Sequence, residues 1–281
     1  VLLDMWQPRK AVELIRSERV TFTMASTPFL TDLATSVADS GQSVPTLKTF
    51  LCAGAPIPGP LVERARAALD ANIVSAWGMT ENGAVTTTLP ADDPERSVNT
   101  DGVPLPGVEV KAVDVDGNRL PVGESGRLLL RACSNFGGYL KRPQLNNTDA
   151  QGWFDTGDLA RVDAQGYIRI TGRSKDVIIR GGANVYPAEV ENAVHGHPHV
   201  AEVAVIGVPD ETWGESVKAI VVPKPGERID LAGMVDFLKQ HQVALHYIPE
   251  KLVLREAIPA TPSGKIQKFK LREMLRSGDL M

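Results

Sequence analysis

Two hydrophobic rhythms follow one another in this chain and limit its fold more than any other feature. Over residues 1–103, stretches of helical spacing alternate with short apolar runs. "PRKAVELIRSERV" has Pro8 at a helix start and apolar residues at Ala11, Val12, Leu14 and Ile15, and the "TFTMAS" that follows reads as a buried strand. The cycle repeats with "PFLTDLATSVADSG", "LKTFLCAG", "GPLVERARAALDA" and "NIVSAW". Strands separated by helices cannot close as tight hairpins, so the pattern predicts an α/β layer with parallel strands. From about Pro104 the helical spacing stops. "GVEVKAVDVDGNRLPVGESGRLLLRA" and "GWFDTGDLARVDAQGYIRITGR" read as short strands, with hairpin signals at Asp116-Gly117 and Gln165-Gly166. After Arg173 strands and helices mix in a small α+β unit that closes with a helix from about Gln267. The expected regions are 1–103, 104–173 and 174–281, jointed at "GRSKD".

Composition narrows the function classes. With 281 residues, 43% apolar and 23% charged, the chain can bury a sizeable core and divide into two or three domains. A formal net charge of −4 gives no reason to expect nucleic acid or an anionic membrane as partner, although Lys265, Lys268, Lys270 and Arg272 form a local cluster able to contact anions. Cys52 and Cys133 lie in different kinds of segment, so neither a disulfide framework nor a cysteine zinc site is readable, and a reduced cytoplasm fits best. No apolar run approaches the ~20 residues of a membrane span. The opening "VLLDMWQPRKAVELIRSERVTF" has no initiator Met, begins on a strand-like run and carries no signal-peptide pattern, which suggests that the sequence enters a fold partway through.

Four stretches invite chemical readings. "DVDGN" resembles the start of a calcium loop, but the twelfth position from Asp114 is Ser125 rather than Glu, and a hairpin turn accounts for it. "HGHPH" sets His195, His197 and His199 at alternate positions, yet Pro198 interrupts any strand and a solvated connection explains the run. In "SAWGMTENGAVTT" a strand is expected to end at Trp77, with Gly78 letting the backbone turn so that Thr80 and Glu81 emerge beyond it, where open α/β sheets bind ligands. A hydroxyl beside a carboxylate suits phosphate with Mg²⁺; a helix cap is the rival account. In "GWFDTGDLA", Asp158 either caps a turn or accepts two hydrogen bonds from a vicinal diol such as a ribose.

Order and co-occurrence discriminate between these accounts. "CAGAPIP", "AWGMTE", "GWFDTGDL", "GRSKDVIIRGGANVYPAEVE" and "PSGKIQK" follow one another at spacings that resemble the adenylate-forming, AMP-binding superfamily of acyl-CoA synthetases, peptide-synthetase adenylation domains and luciferases. The resemblance spans essentially the whole chain. It implies an α/β part and a β-rich subdomain of the large AMP-binding domain, followed by a mobile α+β C-terminal domain hinged at Lys175. It also implies ATP or AMP, Mg²⁺ and coenzyme A as cofactors, with a small-molecule carboxylic acid and CoA as partners. Oligomer formation is compatible with it.

Site residues carry over position by position as implications of the resemblance. Gly54, Ala55 and Pro56 correspond to the backbone wall against the adenine. Trp77, where the family usually has Tyr, keeps a stacking ring without the phenolic hydroxyl. Thr80 corresponds to the α-phosphate contact, Glu81 to the Mg²⁺ ligand, and Asp158, helped by Arg173, to the ribose contact. Gly181 and Gly182 correspond to the glycines lining the pantetheine channel. Lys265 corresponds to the lysine that meets carboxylate and α-phosphate during adenylation, a long-stemmed point charge suited to that task. The Ser/Thr/Gly-rich phosphate loop that family members carry upstream of "CAGAP" has no counterpart before Gly54, so these residues alone are expected to have little or no ligase activity. A peptide-synthetase adenylation domain and a non-catalytic remnant that binds nucleotide or a protein partner are the alternatives. The "RGGANVYPAEVE" stretch leans to the CoA-ligase version, with a weak lean toward fatty and alicyclic acids.

Overall fold

Proline opens the first helix because its missing N–H costs nothing there and its φ is already helical. In the computed structural model, which describes residues 1–261 and 264–280, α1 (Pro8–Ser17) begins on Pro8 and buries Ala11, Val12 and Ile15. Strand β1 (Phe22–Ala25) leads to α2 (Thr27–Ser40), which ends where Gly41 takes φ 63° and returns its N–H to the Val37 carbonyl at 3.0 Å. Then follow β2 (Thr49–Cys52), α3 (Gly59–Leu69) and β3 (Asn72–Met79). The three strands are parallel, with Met24 beside Leu51 and Leu51 beside Val74. Leu30, Leu33, Leu61 and Val62 from the helices pack on Phe50 and Ile73 of one sheet face.

Two expectations change here. The sheet continues past the parallel strands through antiparallel β4 (Gly83–Thr87) and β5 (Val103–Pro104), with α4 (Pro94–Asn99) between them. And "TFTMAS" is not a buried strand: β1 is an edge with helices on one face only, so Phe22 and Met24 are exposed to 54% and 67%. A run of apolar letters cannot distinguish that placement from a central one.

A second sheet of β6 (Val108–Val113), β7 (Gly126–Ala132), β8 (Phe154–Val162) and β9 (Ile168–Arg173) follows in that spatial order. Both expected turns form. Asp114 Oδ1 accepts from the N–H groups of Asp116 and Asn118, while Gly117 sits at φ 88°; Asp163 Oδ1 accepts from Gln165 and Tyr167, with Gly166 at φ 85°. The calcium-like letters are thus a turn whose carboxylate is occupied by backbone.

The two sheets are spliced by residues 101–102. Asp101 N–H donates to the Ile168 carbonyl and Ile168 N–H to the Gly102 carbonyl, at 2.8 and 2.9 Å. The Asp101 carboxylate accepts from Ile170 N–H at 2.8 Å, and Thr86 Oγ1 donates to the Asp101 carbonyl at 2.6 Å. Burial raises the Asp101 pKa above the ordinary carboxylate value, with Arg169 and the Ile170 N–H opposing it. Gly102 has no substitute: its φ is 92°, and a Cβ would lie 2.0 Å from the Thr87 carbonyl carbon.

Val1–Ile170 and Thr171–Met281 form separate compact units. In the second, β10 (Ile178–Arg180) and β11 (Ala183–Val185) make a hairpin, followed by α5 (Pro187–His195), β12 (Val200–Asp210), β13 (Gly214–Pro223), α6 (Leu231–Gln240), β14 (Lys251–Leu254) and α7 (Lys268–Ser277). The strand order is β11-β10-β13-β12, with β14 parallel to β13. Val205, Val217, Val221, Met234 and Leu238 form a core on one side of this sheet, and Ile206, Ile220 and Leu271 form one on the other. The "HGHPH" run lies against α6: His197 packs edge-on to Phe237 at 4.8 Å, and His199 Nε2 meets Glu227 at 3.3 Å. Among the described residues no helix is long and apolar enough to cross a membrane.

The two thiols differ sharply. Cys52 is completely buried beneath the helices and burial pushes its pKa up to about 12, whereas Cys133 is exposed. The thiolate is the reactive form. A thiol-specific reagent should therefore modify Cys133 in native buffer and Cys52 only in denaturant; two fast-reacting thiols in the folded protein would contradict this packing.

Candidate active site

Parallel strands present their C-terminal ends along one edge, and the loops leaving that edge are where ligands reach backbone and side chains together. At the end of β2, residues 53–56 bend before α3, with Gly54 at φ 88° and exposed. Thr27, at the start of α2, donates its hydroxyl to the Pro56 carbonyl at 2.8 Å and so fixes Gly54, Ala55 and Pro56 as a wall. The neighbouring β3 runs further than expected, to Met79 instead of Trp77. Gly78 does not end the strand. It lets β4 approach: a Cβ there would lie 2.2 Å from the Gly83 carbonyl oxygen, and the β3–β4 register shifts between Trp77 and Gly78. A three-residue loop, Thr80, Glu81 and Asn82, then joins the strands, closed by Asn82 N–H on the Met79 carbonyl at 3.1 Å and by Gly83 at φ 70°. Thr80 and Glu81 therefore sit at a hairpin tip and not at a helix cap.

The second sheet brings Asp158 to the same place. Trp77 packs against Leu128, Ala160 and Ile168, and its indole N–H donates to Asp158 Oδ2 at 3.2 Å across 81 residues of sequence. Asp158 is buried to 9% exposure on β8, and its own N–H donates to Thr156 Oγ1 at 3.0 Å. Thr156 in turn donates to the Leu128 carbonyl at 2.8 Å. Glu81 has a partner that sequence reasoning missed. Tyr139 donates its hydroxyl to Glu81 Oε1 at 2.7 Å, and Phe136 N–H donates to the Glu81 carbonyl at 2.8 Å. The only trace of Tyr139 in the sequence is a lone aromatic after paired glycines, a pattern without periodicity. Among the described residues no group of three or more His, Cys, Asp or Glu could hold a metal by itself. A single hairpin carboxylate does fit Mg²⁺ that arrives with phosphates, since that ion keeps waters and takes one or two carboxylates.

The remaining candidates belong to the second unit. Arg173 closes β9, and Lys175 is exposed in the short 3₁₀ turn Ser174–Asp176. Gly181 and Gly182 are the two central residues of the β10–β11 hairpin, with φ of 56° and 84°, as a type I′ turn requires. A Cβ on Gly181 would come within 2.7 Å of the Trp213 ring, so the pair has a structural reason to be glycine. In the "PSGKIQK" stretch, Pro262 and Ser263 lie outside the described residues. Lys265 has an exposed side chain on a backbone held by its N–H to Thr261 Oγ1 at 3.0 Å and by its carbonyl, which accepts from Thr261 N–H at 2.9 Å. The basic cluster expected around it is partly spent. Lys268 pairs with Glu191 at 2.6 Å and Arg272 with Asp176 at 2.7 Å, leaving Lys265 and Lys270 exposed.

One α/β sheet edge thus carries a small-residue wall, an aromatic ring, a hydroxyl and two fixed carboxylates. Comparison with known proteins gives the class. The AMP-binding enzyme model matches residues 1–140, and the AMP-binding enzyme C-terminal domain model matches residues 189–265. The chain belongs to the AMP-binding enzyme family. It is 38% identical over 277 residues to the medium-chain fatty-acid–CoA ligase of Escherichia coli (strain K12), covering 97% of this chain and 49% of that protein. It is 35% identical over 275 residues to a feruloyl-CoA synthase of an Amycolatopsis species, covering 97% and 55%. Among solved structures, ATP-bound MatB from Rhodopseudomonas palustris aligns with a TM-score of 0.89 at 32% identity, covering 98% of this chain and 54% of that one. The amide bond synthetase McbA from Marinactinospora thermotolerans gives 0.89 at 33% identity, covering 97% and 56%. The chain thus spans about half the length of the curated relatives it matches.

Because the β3–β4 approach leaves no room at Gly78, Gly78→Ala should cost about 3 kcal/mol or more by forcing the strands apart. Urea unfolding would measure it; a loss below about 1 kcal/mol would mean that the hairpin gives way cheaply.

Proposed function

We propose that these residues are the nucleotide-facing part and the small C-terminal domain of an ATP-dependent acyl-CoA ligase. The reaction joins a carboxylate to AMP with loss of pyrophosphate, then passes the acyl group to the thiol of CoA. The observation that carries this reading is the pairing of Trp77 with Asp158, which brings a buried carboxylate of the second sheet to an aromatic ring three residues before Thr80. Adenine lies against the Trp77 ring and the wall of Gly54, Ala55 and Pro56, while the ribose hydroxyls donate to Asp158, helped by Arg173. Thr80 donates to the α-phosphate, and Glu81 holds the Mg²⁺ that accompanies the nucleotide. That ion supplies neutralisation of phosphate charge.

In the first step a carboxylate oxygen bonds to the α-phosphorus as the bond to pyrophosphate breaks. Negative charge grows on the phosphoryl oxygens, and the Lys265 ammonium offsets it. In the second step the CoA sulfur bonds to the acyl carbon and AMP leaves, with Gly181 and Gly182 beside the pantetheine and Lys175 at the hinge between the two poses. Relatives named as a medium-chain fatty-acid–CoA ligase and a feruloyl-CoA synthase favour an organic acid with a sizeable aliphatic or aromatic acyl group as substrate. A cytoplasmic setting fits the free thiols.

Calorimetry with AMP tests the nucleotide site. Asp158→Asn should weaken AMP binding by about 1.5–3 kcal/mol, the worth of a hydrogen bond to a charged group, and should narrow the preference for AMP over 2′-deoxy-AMP. Equal affinity of the two proteins for AMP would remove Asp158 from the ribose. For Lys265, the informative material is the chain joined to a phosphate-loop region from a relative. There Lys265→Ala should abolish acyl-AMP formation and spare thioester formation from supplied acyl-AMP. Parallel loss of both half-reactions would refute that division of labour.

A further inference from the structure

Residues 135–139 lie along the 80–82 hairpin loop and bind it at three points. Asn82 Nδ2 donates to Asn135 Oδ1 at 2.8 Å, Phe136 N–H donates to the Glu81 carbonyl at 2.8 Å, and the Tyr139 hydroxyl donates to Glu81 Oε1 at 2.7 Å. The phenol is itself anchored. Phe136 meets Tyr139 edge-on at 4.8 Å and the buried Phe154 edge-on at 5.6 Å, and Tyr139 N–H donates to Asn146 Oδ1 at 2.8 Å. A chain of aromatic contacts therefore runs from the interior of β8 to one oxygen of the Glu81 carboxylate.

A glutamate at a hairpin tip would otherwise spread over several rotamers, and ordering it has to be met by whatever it binds. A phenol is a suitable constraint. It donates one neutral hydrogen bond, leaves the carboxylate charge in place, and keeps the second oxygen available to a hard cation. The described residues offer no cluster of ligands that would hold such a cation alone, so the orientation of this one carboxylate is the main lever the loop has over it.

We propose that Tyr139 is a positioning residue: it holds Glu81 Oε1 so that Oε2 is presented in a fixed direction to the Mg²⁺ carried by a bound nucleoside triphosphate. The inference rests on the nucleotide-site reading above and adds to it a residue outside the loop. It assigns no contact between Tyr139 and the nucleotide.

The test compares the 281-residue chain with Tyr139→Phe, which removes only the hydroxyl and keeps the ring stack. Binding of ATP is titrated by calorimetry at increasing Mg²⁺, and binding of AMP is titrated in EDTA. Loss of a residue that orients a metal ligand is expected to raise the Mg²⁺ concentration needed for half-maximal enhancement of ATP binding about tenfold. AMP affinity should stay within about twofold, because no metal is involved in it. In a Glu81→Gln background the same Tyr139→Phe change should then add nothing to the Mg²⁺ requirement, as coupled residues do in a double-mutant cycle. An unchanged Mg²⁺ requirement with AMP binding intact overturns the inference alone. A parallel fall in AMP and Mg-ATP affinity also overturns it, because that is what general loosening of the loop would produce. If the unchanged chain binds neither AMP nor ATP, the nucleotide-site reading fails and the inference falls with it.

Discussion

The splice between residues 101–102 and 168–170 is the constraint on which the candidate site depends. β3 and β8 belong to different sheets, and nothing within either sheet brings Trp77 to Asp158. Two reciprocal backbone hydrogen bonds, the Asp101 carboxylate on Ile170 N–H, and Thr86 on the Asp101 carbonyl hold the sheets in register where water is excluded. In such surroundings each unmade bond costs more than in the open, typically about 1–3 kcal/mol, so a partial splice is worse than none and the joint forms as a unit. The raised pKa of Asp101 is the visible cost of placing a carboxyl there.

What could be read in the letters, and what could not, divides along the same line between local and tertiary information. The helices α1, α2 and α3, the β-rich stretch and both hairpin turns follow from spacing and turn chemistry, which are properties of a few consecutive residues. The edge placement of β1 was hidden because Phe22 and Met24 look alike whether a neighbour covers them or not. The full length of β3, to Met79, is hidden for a related reason. Gly78 reads as a stop when only the chain's own backbone is considered, and as a passage once a second strand lies beside it.

At the site the picture is similar. Thr80, Glu81 and Asp158 are legible in sequence as a hydroxyl and two carboxylates, but Tyr139 meets its partner, Glu81, across 58 residues. Its contact exists only after the sheets are joined. The C-terminal basic residues teach the converse. Lys268 and Arg272 look like anion contacts beside Lys265, yet both are engaged by carboxylates, Glu191 and Asp176, so that part of their charge serves to anchor α7. Lys265 differs from them by standing on a short backbone turn with its side chain in solvent.

The three-residue loop between β3 and β4 carries a consequence for how this region can vary over evolutionary time or in the hands of a protein engineer. Side chains alternate along a strand, so one residue inserted or removed between Trp77 and Gly83 would turn Trp77, or its opposite number on β4, to the wrong face. Of the three loop residues only Thr80 is exposed, so its identity is open to exploration, while the loop's length, the buried Asn82 on Asn135 and the Tyr139-bound Glu81 are not. Variation at position 80 samples new chemistry at a fixed address, and insertions at the same place would instead erase the address.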